Sequence, residues 1–129
     1  MENFPNGDVY RGHYVQGKPH GFGEYHWSNG ASYKGEFLGG FREGEGTWIS
    51  ESGDKYVGHF SGDRKNGYGE YFWVNGNIYK GNFCEDMREG DGEMAWNDGS
   101  TYHGEWQRGL PHGKGTYGFN QVRDFQGQR

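Results

Sequence analysis

Aromatic residues and glycines occupy every second position in two stretches of each part of this chain. Residues 10–14 alternate between tyrosine or glycine and polar side chains, and every second residue from 21 to 27 is glycine or aromatic. A period of two is typical of β-strands, whose side chains point alternately to the two faces of a sheet. The sequence therefore predicts an antiparallel hairpin, with residues 15–20 as a six-residue loop in which Pro19 keeps the strands apart.

The hairpin pattern recurs five times at intervals of 23 residues. Each unit has a tyrosine, a glycine two residues later and a closing Gly-x-Gly. The full repeats are 10–32, 33–55, 56–78, 79–101 and 102–124, with a partial repeat at 1–9 and the start of another at 125–129. Such self-similarity is typical of stacked arrays, in which each unit buries its apolar face against its neighbours. We expect a single all-β array over residues 1–129, an elongated, twisted, single-layer antiparallel sheet of stacked β-hairpins. The incomplete units at both ends favour a piece of a longer protein.

Side-chain parity predicts the register within a hairpin, because residues that oppose each other share a face of the sheet. The predicted pairs in the first repeat are Tyr14 with Gly21, Gly12 with Gly23, and Tyr10 with Tyr25.

The turn between repeats is predicted to be a loop with a glycine at positive φ. A two-residue turn at Asn29-Gly30 would bring Trp27 opposite Ser32, on the wrong face, so a longer loop is required. The predicted positive-φ positions are Gly30, Gly53, Gly76 and Gly99. In the resulting register Tyr33 lies between Trp48 of its own hairpin and Trp27 of the preceding one. One face of the sheet then becomes a continuous aromatic ladder.

Composition is consistent with this thin sheet. The hydrophobic fraction is 30% and the mean hydropathy is -1.17, values that often accompany disorder, but aromatic residues make up 19% of the chain and lie in register. The net charge of -5, with mixed signs along the chain, argues against nucleic acid as a partner.

Several features favour a cytoplasmic location. Cys84 is the single cysteine, so an intrachain disulfide is excluded and a reducing compartment is expected. No apolar run approaches the roughly 20 residues of a membrane span. Residues 1–9 also lack the apolar region of a secretory signal.

The five units resemble MORN repeats (membrane occupation and recognition nexus), whose pattern is Y-x-G-x-[FYW]-x-x-G-x-x-x-G-x-G. The matching stretches are YRGHYVQGKPHGFGEY, YKGEFLGGFREGEGTW, YVGHFSGDRKNGYGEY, YKGNFCEDMREGDGEM and YHGEWQRGLPHGKGTY. Asp63 and Asp86 replace the mid-loop glycine. Met94 and Ser50 depart from the aromatic slots of Tyr25 and Trp27, and a local loosening of the ladder is expected there.

The resemblance implies a hairpin array with a groove-like aromatic face that holds a partner's helix or peptide. It also implies a role in cytoskeletal, ciliary or membrane-associated assemblies, and, as a weaker expectation, phosphoinositide binding.

No arrangement of residues predicts catalysis, a cofactor or a metal site. Of the six histidines, His20 and His112 share one slot four repeats apart, and His13 and His59 share another, two repeats and roughly 20 Å apart. Ligands that share a metal ion each lie about 2 Å from it, so these two cannot share one. Gly21-Phe22-Gly23 enters a strand and not a helix, which argues against a phosphate loop. We expect that the chain is not an enzyme.

The working surface is predicted on the aromatic face, where exposed rings would anchor a protein partner. Its residues are Tyr25, Trp27, Trp48, Tyr71, Trp73 and Trp96. A second contact or self-association patch is predicted on the opposite face, with Ile49 opposite Val57 and with Tyr68 and Phe72 nearby.

Three function classes stay open. The first is a protein-interaction scaffold. The second is association with anionic or phosphoinositide-containing membrane, for which the loop edge offers the mixed basic row Lys18, Arg42, Arg64, Lys65 and Arg88. The third is a ligand-binding solenoid in which neighbouring aromatics cage a quaternary ammonium, although the Y-x-G and G-x-G spacing argues against it.

Overall fold

The computed structural model describes residues 2–119, which form one open antiparallel sheet of 11 strands in chain order. The strands are β1 (Glu2–Asn3), β2 (Val9–Val15), β3 (Lys18–His26), β4 (Ser32–Leu38), β5 (Phe41–Ile49), β6 (Lys55–Ser61), β7 (Arg64–Phe72), β8 (Ile78–Cys84), β9 (Met87–Ala95), β10 (Thr101–Gln107) and β11 (Leu110–Gly118). No helix occurs in this part of the chain. The predicted fold class is confirmed. The end of the fifth predicted repeat and the start of the sixth lie outside the described residues.

The predicted six-residue loop inside each hairpin is wrong, because the strands continue to a two-residue turn. Val15 pairs with Lys18 and Tyr14 pairs with Pro19, so Pro19 lies within a strand. The predicted pairing of Tyr14 with Gly21 is therefore also wrong.

Nearer the base of the hairpin, the predicted pairs Gly12 with Gly23 and Tyr10 with Tyr25 are confirmed. Between the two sets of pairs, residue 13 of β2 faces residues 20–22 of β3, which is a β-bulge. A break in register at the same place occurs in all five hairpins.

The first glycine of each Gly-x-Gly pair accommodates this bulge. Gly21 has a φ of 84°, in the left-handed region that residues with a Cβ rarely adopt. The equivalent glycines are also at positive φ, at Gly44, Gly67, Gly90 and Gly113. This glycine therefore serves the backbone of the bulge, whereas the second glycine of the pair serves the packing described below.

The turn between repeats has the predicted glycine conformation, but the strands on either side of it pair in a different register from the predicted one. Gly30 has a φ of 101°, and Gly53, Gly76 and Gly99 are also positive, as predicted. The loop is closed by Trp27 N, which donates to Ala31 O over 3.0 Å. Tyr33 consequently faces Tyr25 and Trp48, and its predicted position beside Trp27 is wrong. The error is two residues, so the face of each ring is unchanged.

The core is a ladder of buried tyrosines, one from each hairpin. Tyr10, Tyr33, Tyr56 and Tyr79 are 0% exposed, and Tyr102 is 2% exposed. Each hydroxyl donates to the backbone carbonyl three residues later, in the bulge, over 2.8–3.0 Å. These bonds satisfy the polar end of a buried ring, which would otherwise be costly to bury.

One aromatic ring lies edge-on between each pair of consecutive tyrosines. The Phe37 centroid is 5.4 Å from that of Tyr10 and 5.1 Å from that of Tyr33, with the rings nearly perpendicular. The same arrangement recurs at Phe60, Phe83 and Trp106. Edge-to-face pairs of this kind are favourable beyond the area they bury.

The two residues that depart from the aromatic slots, Met94 and Ser50, have different surroundings. Met94 is 2% exposed and belongs to the core cluster, so the expected loosening there is wrong. Methionine is flexible and fills irregular space well. Ser50 keeps the turn, since its Oγ accepts from Asp54 N over 2.9 Å.

We predict that Gly69→Val lowers the free energy of unfolding by more than about 2 kcal/mol, on the scale of overpacking. A Cβ at this position would overlap the Tyr56 hydroxyl and ring, which lie directly on the strand. The measurement is chemical denaturation followed by tryptophan fluorescence. Ser61→Val, at an exposed position of β6, is the control and should change stability little. An unchanged midpoint for Gly69→Val would contradict the packing of the ladder.

Candidate functional site

The six residues of the predicted working surface lie on the same face as the tyrosine ladder. Trp48 pairs with Tyr33 and Tyr56 of the ladder, and Tyr25 and Tyr71 hold equivalent positions. Trp27, Trp73 and Trp96 stand two residues further along, where the turns begin. All six are half-buried and pack against the core. Each ring therefore contributes to the fold and still presents accessible surface.

These rings form local groups and not an evenly spaced row. The centroids of Tyr25 and Trp27 are 4.7 Å apart, and those of Tyr71 and Trp73 are 4.5 Å apart. Trp48 and Tyr71 are 6.4 Å apart. Within residues 2–119, Trp96 makes none of the close ring contacts.

Two aspartates that the sequence analysis did not single out hold the tyrosines of this surface. Tyr25 Oη donates to Asp8 Oδ2 over 2.6 Å, and Ser28 N donates to Asp8 Oδ1 over 2.8 Å. In the same way, the hydroxyl of Tyr71 donates to Asp54 Oδ2 over 3.0 Å. The signal in the sequence is that both aspartates stand two residues before a ladder tyrosine.

These hydrogen bonds and the partial burial of the rings shift the pKa values of the groups. Donation from Tyr25, and then from Ser28 N, holds the pKa of Asp8 below its usual value. Burial raises the pKa of Tyr25 to about 12, and the hydrogen bond to Asp8 adds to the shift. Burial is also the main cause of the raised pKa of Tyr71. The two tyrosines are therefore neutral, oriented donors at physiological pH.

Three cations assigned from the sequence to the loop edge lie over the aromatic face instead. Lys65 Nζ is 5.7 Å from the ring centroid of Trp48, 5.8 Å from that of Tyr56 and 5.6 Å from that of Tyr71. These distances are within the range of cation–π attraction. Because the strands continue past the predicted loop, this slot falls inside a strand, with its side chain over the ladder face.

The other two cations repeat the arrangement. Arg42 Cζ lies 5.8 Å from the Trp27 ring and 5.1 Å from the Phe60 ring. Arg88 Cζ lies 5.7 Å from the Trp73 ring and 4.9 Å from the Trp106 ring. Rings and cations thus share one surface.

Carboxylates neutralise part of the basic row. Arg42 Nε lies 3.0 Å from Asp63 Oδ1 and Lys65 Nζ lies 3.2 Å from Asp86 Oδ1, and Arg64 pairs with Glu85. Arg88 Nη2 donates to a backbone carbonyl, Gly109 O, over 2.7 Å. Arg88 forms no ion pair within residues 2–119.

The predicted second patch is only partly brought together. Val57 and Tyr68 line one open depression of about 520 Å³ on the opposite face. Ile49 pairs with Lys55, and Val57 pairs with Thr47, so the predicted pairing of Ile49 with Val57 is wrong for the same two-residue reason. Phe72 pairs with Lys55 and Ile78.

Two of the histidines form side-chain contacts with the backbone. His59 Nδ1 lies 3.0 Å from Asn66 O, and Gly39 N donates to His20 Nδ1 over 3.3 Å. In the described part of the chain, no three side chains of His, Cys, Asp or Glu are placed to hold a metal ion. Residues 2–119 also contain no helix that could span a membrane.

The structure is an open array of hairpins with the same backbone plan, each built on one buried tyrosine and its glycines. Such an array defines a repeat protein, whose surface is formed by stacking similar units. A model of the MORN repeat matches residues 10–32, 33–55, 56–78, 79–101 and 102–121. The chain therefore belongs to the MORN-repeat family. MORN repeats are non-enzymatic modules that generally mediate interactions with proteins or membranes. A search of curated proteins found no match.

We predict that Asp8→Asn makes stability less sensitive to acid. The folded state lowers the pKa of Asp8 from its usual 3.8, so the carboxylate stabilises the fold above about pH 4 and loses that contribution as the pH falls further. Denaturation midpoints at pH 7 and pH 3 should differ less in Asp8→Asn than in the unchanged chain. Asp91→Asn, at an exposed position of β9, is the control and should keep the original difference. An equal loss in Asp8→Asn and the unchanged chain would contradict the assignment.

Proposed function

We propose that this chain is a non-catalytic scaffold that binds a helix or extended peptide of a partner protein along its aromatic face. The observation that carries the proposal is the half-burial of six large rings on one face of a single-layer sheet. No second layer covers these rings within the described residues. A partner segment would supply the missing cover.

The chemistry of this face suits protein recognition. Trp, Tyr and Arg dominate the energetically important residues of interfaces, and this surface combines all three. The rings are also held in place before binding, since Asp8 fixes Tyr25 and Lys65 lies over Tyr71. A preorganised surface loses little conformational entropy when it is covered.

The length of the face suits a continuous segment. Eleven strands spaced about 4.8 Å apart extend for about 50 Å. An α-helix of roughly 30 residues has the same length, and a shorter extended peptide would follow part of it.

Membrane association is the second candidate, because MORN repeats include membrane-binding modules. The charge of this chain favours it less. Arg42, Arg64 and Lys65 are already paired with carboxylates, and the net charge is -5. Each unpaired basic residue near an anionic surface contributes only about 1 kcal/mol.

The aromatic-cage alternative is weaker still. A quaternary ammonium would need the faces of neighbouring rings. Lys65 and the two arginines already lie over those faces.

The setting of the scaffold is proposed from the family alone. Members of this kind are expected in cytoplasmic assemblies, such as cytoskeletal, ciliary or membrane-associated ones. Self-association through the opposite face is a further proposal, supported by the exposed side chains of Val57 and Tyr68.

We predict that Trp73→Ala or Trp96→Ala weakens peptide binding at least tenfold, about 1.4 kcal/mol. The probe is a set of peptides selected against the full chain from a displayed library of random 30-residue segments. Affinity is measured by titration calorimetry, after circular dichroism has shown that each variant is folded. Glu70→Ala, on the opposite face, should leave affinity unchanged. Loss of binding in the control alone would place the partner on the other face.

We predict little sedimentation of the unmodified chain with anionic liposomes, because the net charge is -5 and three of the five basic residues in the row are paired with carboxylates. Strong binding that salt weakens would reverse the ranking of protein and membrane partners. In that case, joint neutralisation of Arg42, Arg64, Lys65 and Arg88 should abolish it.

A further inference from the structure

Two positions of the repeat are linked by a fixed spacing. The first holds the cation that lies over the aromatic face, and the second, 21 residues later, holds the last residue of the turn in the next hairpin. The successive pairs of residues in these slots are Pro19 with Gly40, Arg42 with Asp63, Lys65 with Asp86, and Arg88 with Gly109. A cation therefore has an aspartate partner in two of the three cases, and Arg88 is the exception.

The two complete pairs have the same geometry. Asp63 N donates to Arg42 O over 3.0 Å, while Asp63 Oδ1 accepts from Arg42 N over 2.8 Å and from Arg42 Nε over 3.0 Å. Asp86 forms the same two backbone hydrogen bonds with Lys65, over 3.0 Å and 2.8 Å. The carboxylate thus binds both the main chain and the charged group of the preceding repeat.

The third pair, Arg88 with Gly109, has the same backbone hydrogen bond but no carboxylate, because glycine has no side chain. Gly109 N donates to Arg88 O over 3.0 Å, and Gly109 has a φ of 84°, close to the 73° of Asp63 and the 72° of Asp86. A Cβ at Gly109 would lie 3.6 Å from Arg88 Nη2, which is an ordinary contact. Burial also lowers the pKa of Arg88. A half-buried guanidinium therefore lies where the array elsewhere provides an anion.

The surface beside Arg88 is concave. Lys65, Tyr71, Trp73, Asp86, Arg88 and Gly109 border a depression of about 280 Å³, where the Asp86 carboxylate lies 3.2 Å from Lys65 Nζ. Two of these residues belong to the predicted working surface, so a group bound here would be continuous with a segment lying on the aromatic face.

We propose that this depression is a carboxylate subsite, which receives an Asp or Glu side chain of the bound partner segment and pairs it with Arg88. The proposal rests on the function proposed above and specifies the chemistry of the partner. Arginine binds a carboxylate with two parallel hydrogen bonds when its geometry allows. The residues next to that acid would cover Tyr71 and Trp73. A carboxylate is favoured over a phosphate because the two filled sites of the array hold carboxylates.

The first test supplies the missing group within the chain. Gly109→Asp should have a higher denaturation midpoint than Gly109→Asn, since the two side chains are nearly the same in size and shape and only one is charged. The difference should disappear when Arg88→Gln is added to both. Equal midpoints for the two variants would overturn the proposal, because a carboxylate would then have no favourable site.

The second test uses the peptides selected against the full chain. Those that depend on Trp73 should contain an acidic residue, and changing it to its amide should weaken binding at least tenfold. Gly109→Asp should weaken the same peptides at least tenfold, by occupying Arg88, whereas Gly109→Asn should not.

The outcomes separate this inference from the proposed function. If peptides that depend on Trp73 keep their affinity after both the amide change and Gly109→Asp, the subsite proposal is overturned and the proposed scaffold function is unaffected. If no selected peptide depends on Trp73 or Trp96, the proposed function fails and the subsite fails with it. Arg88-dependent sedimentation with phosphoinositide liposomes would assign the site to lipid and would overturn the proposal.

Discussion

The hydrogen bond from each buried tyrosine hydroxyl to a bulge carbonyl links the packing of this sheet to its backbone. The ring of Tyr56 lies against Gly69 of the opposing strand, and its hydroxyl donates to His59 O over 2.9 Å. The ring can reach that carbonyl only because the paired glycines have no side chains. The bulge that exposes the carbonyl in turn requires a glycine at positive φ, Gly67 in this repeat. One tyrosine and its glycines therefore specify both the core and the bend of each hairpin.

A sheet with a single layer has no interior separate from its surface. Within residues 2–119, the tyrosines and phenylalanines of the ladder are covered by rings and cations that lie outside them on the same face. Those outer side chains, such as Trp48 and Lys65, must shield the core and also remain half-accessible. Stability and recognition are thus carried by overlapping sets of atoms. A loss of binding is informative only when folding has been measured separately.

Much of this fold could be predicted from the sequence because its information is periodic. The alternation of Tyr10 and Gly12, repeated in phase, specifies strands, faces and stacking order. The position of the bulge could not be read in the same way, because Gly21 has the parity of a ladder residue and nothing local distinguishes its positive φ. Because the bulge was not predicted, residues 15–20 were wrongly predicted to form a loop.

The candidate site was predicted less completely for the same reason. The outer rings were assigned to the correct face because a two-residue shift in register leaves parity intact. The cations were not assigned to that face, because the side chain of Lys65 lies over the aromatic face only when the strand continues past the bulge. Asp8 and Asp54 act across a turn on residues of another strand, and such contacts have no signature in the pattern of a single strand.

Positions that are the same in all five hairpins and positions that vary between them have different physical roles. Positions that touch the tyrosine ladder are nearly invariant within this chain, because a side chain added there would meet a buried ring. The slots above the ladder tolerate Pro19, Arg42 and Lys65 alike, since a change there alters only charge and cover. A uniform scaffold can in this way carry a non-uniform surface. Arg88, which has no ion pair within residues 2–119, distinguishes one point along the aromatic face, and a segment with the acid that we propose would be held in one register relative to the array.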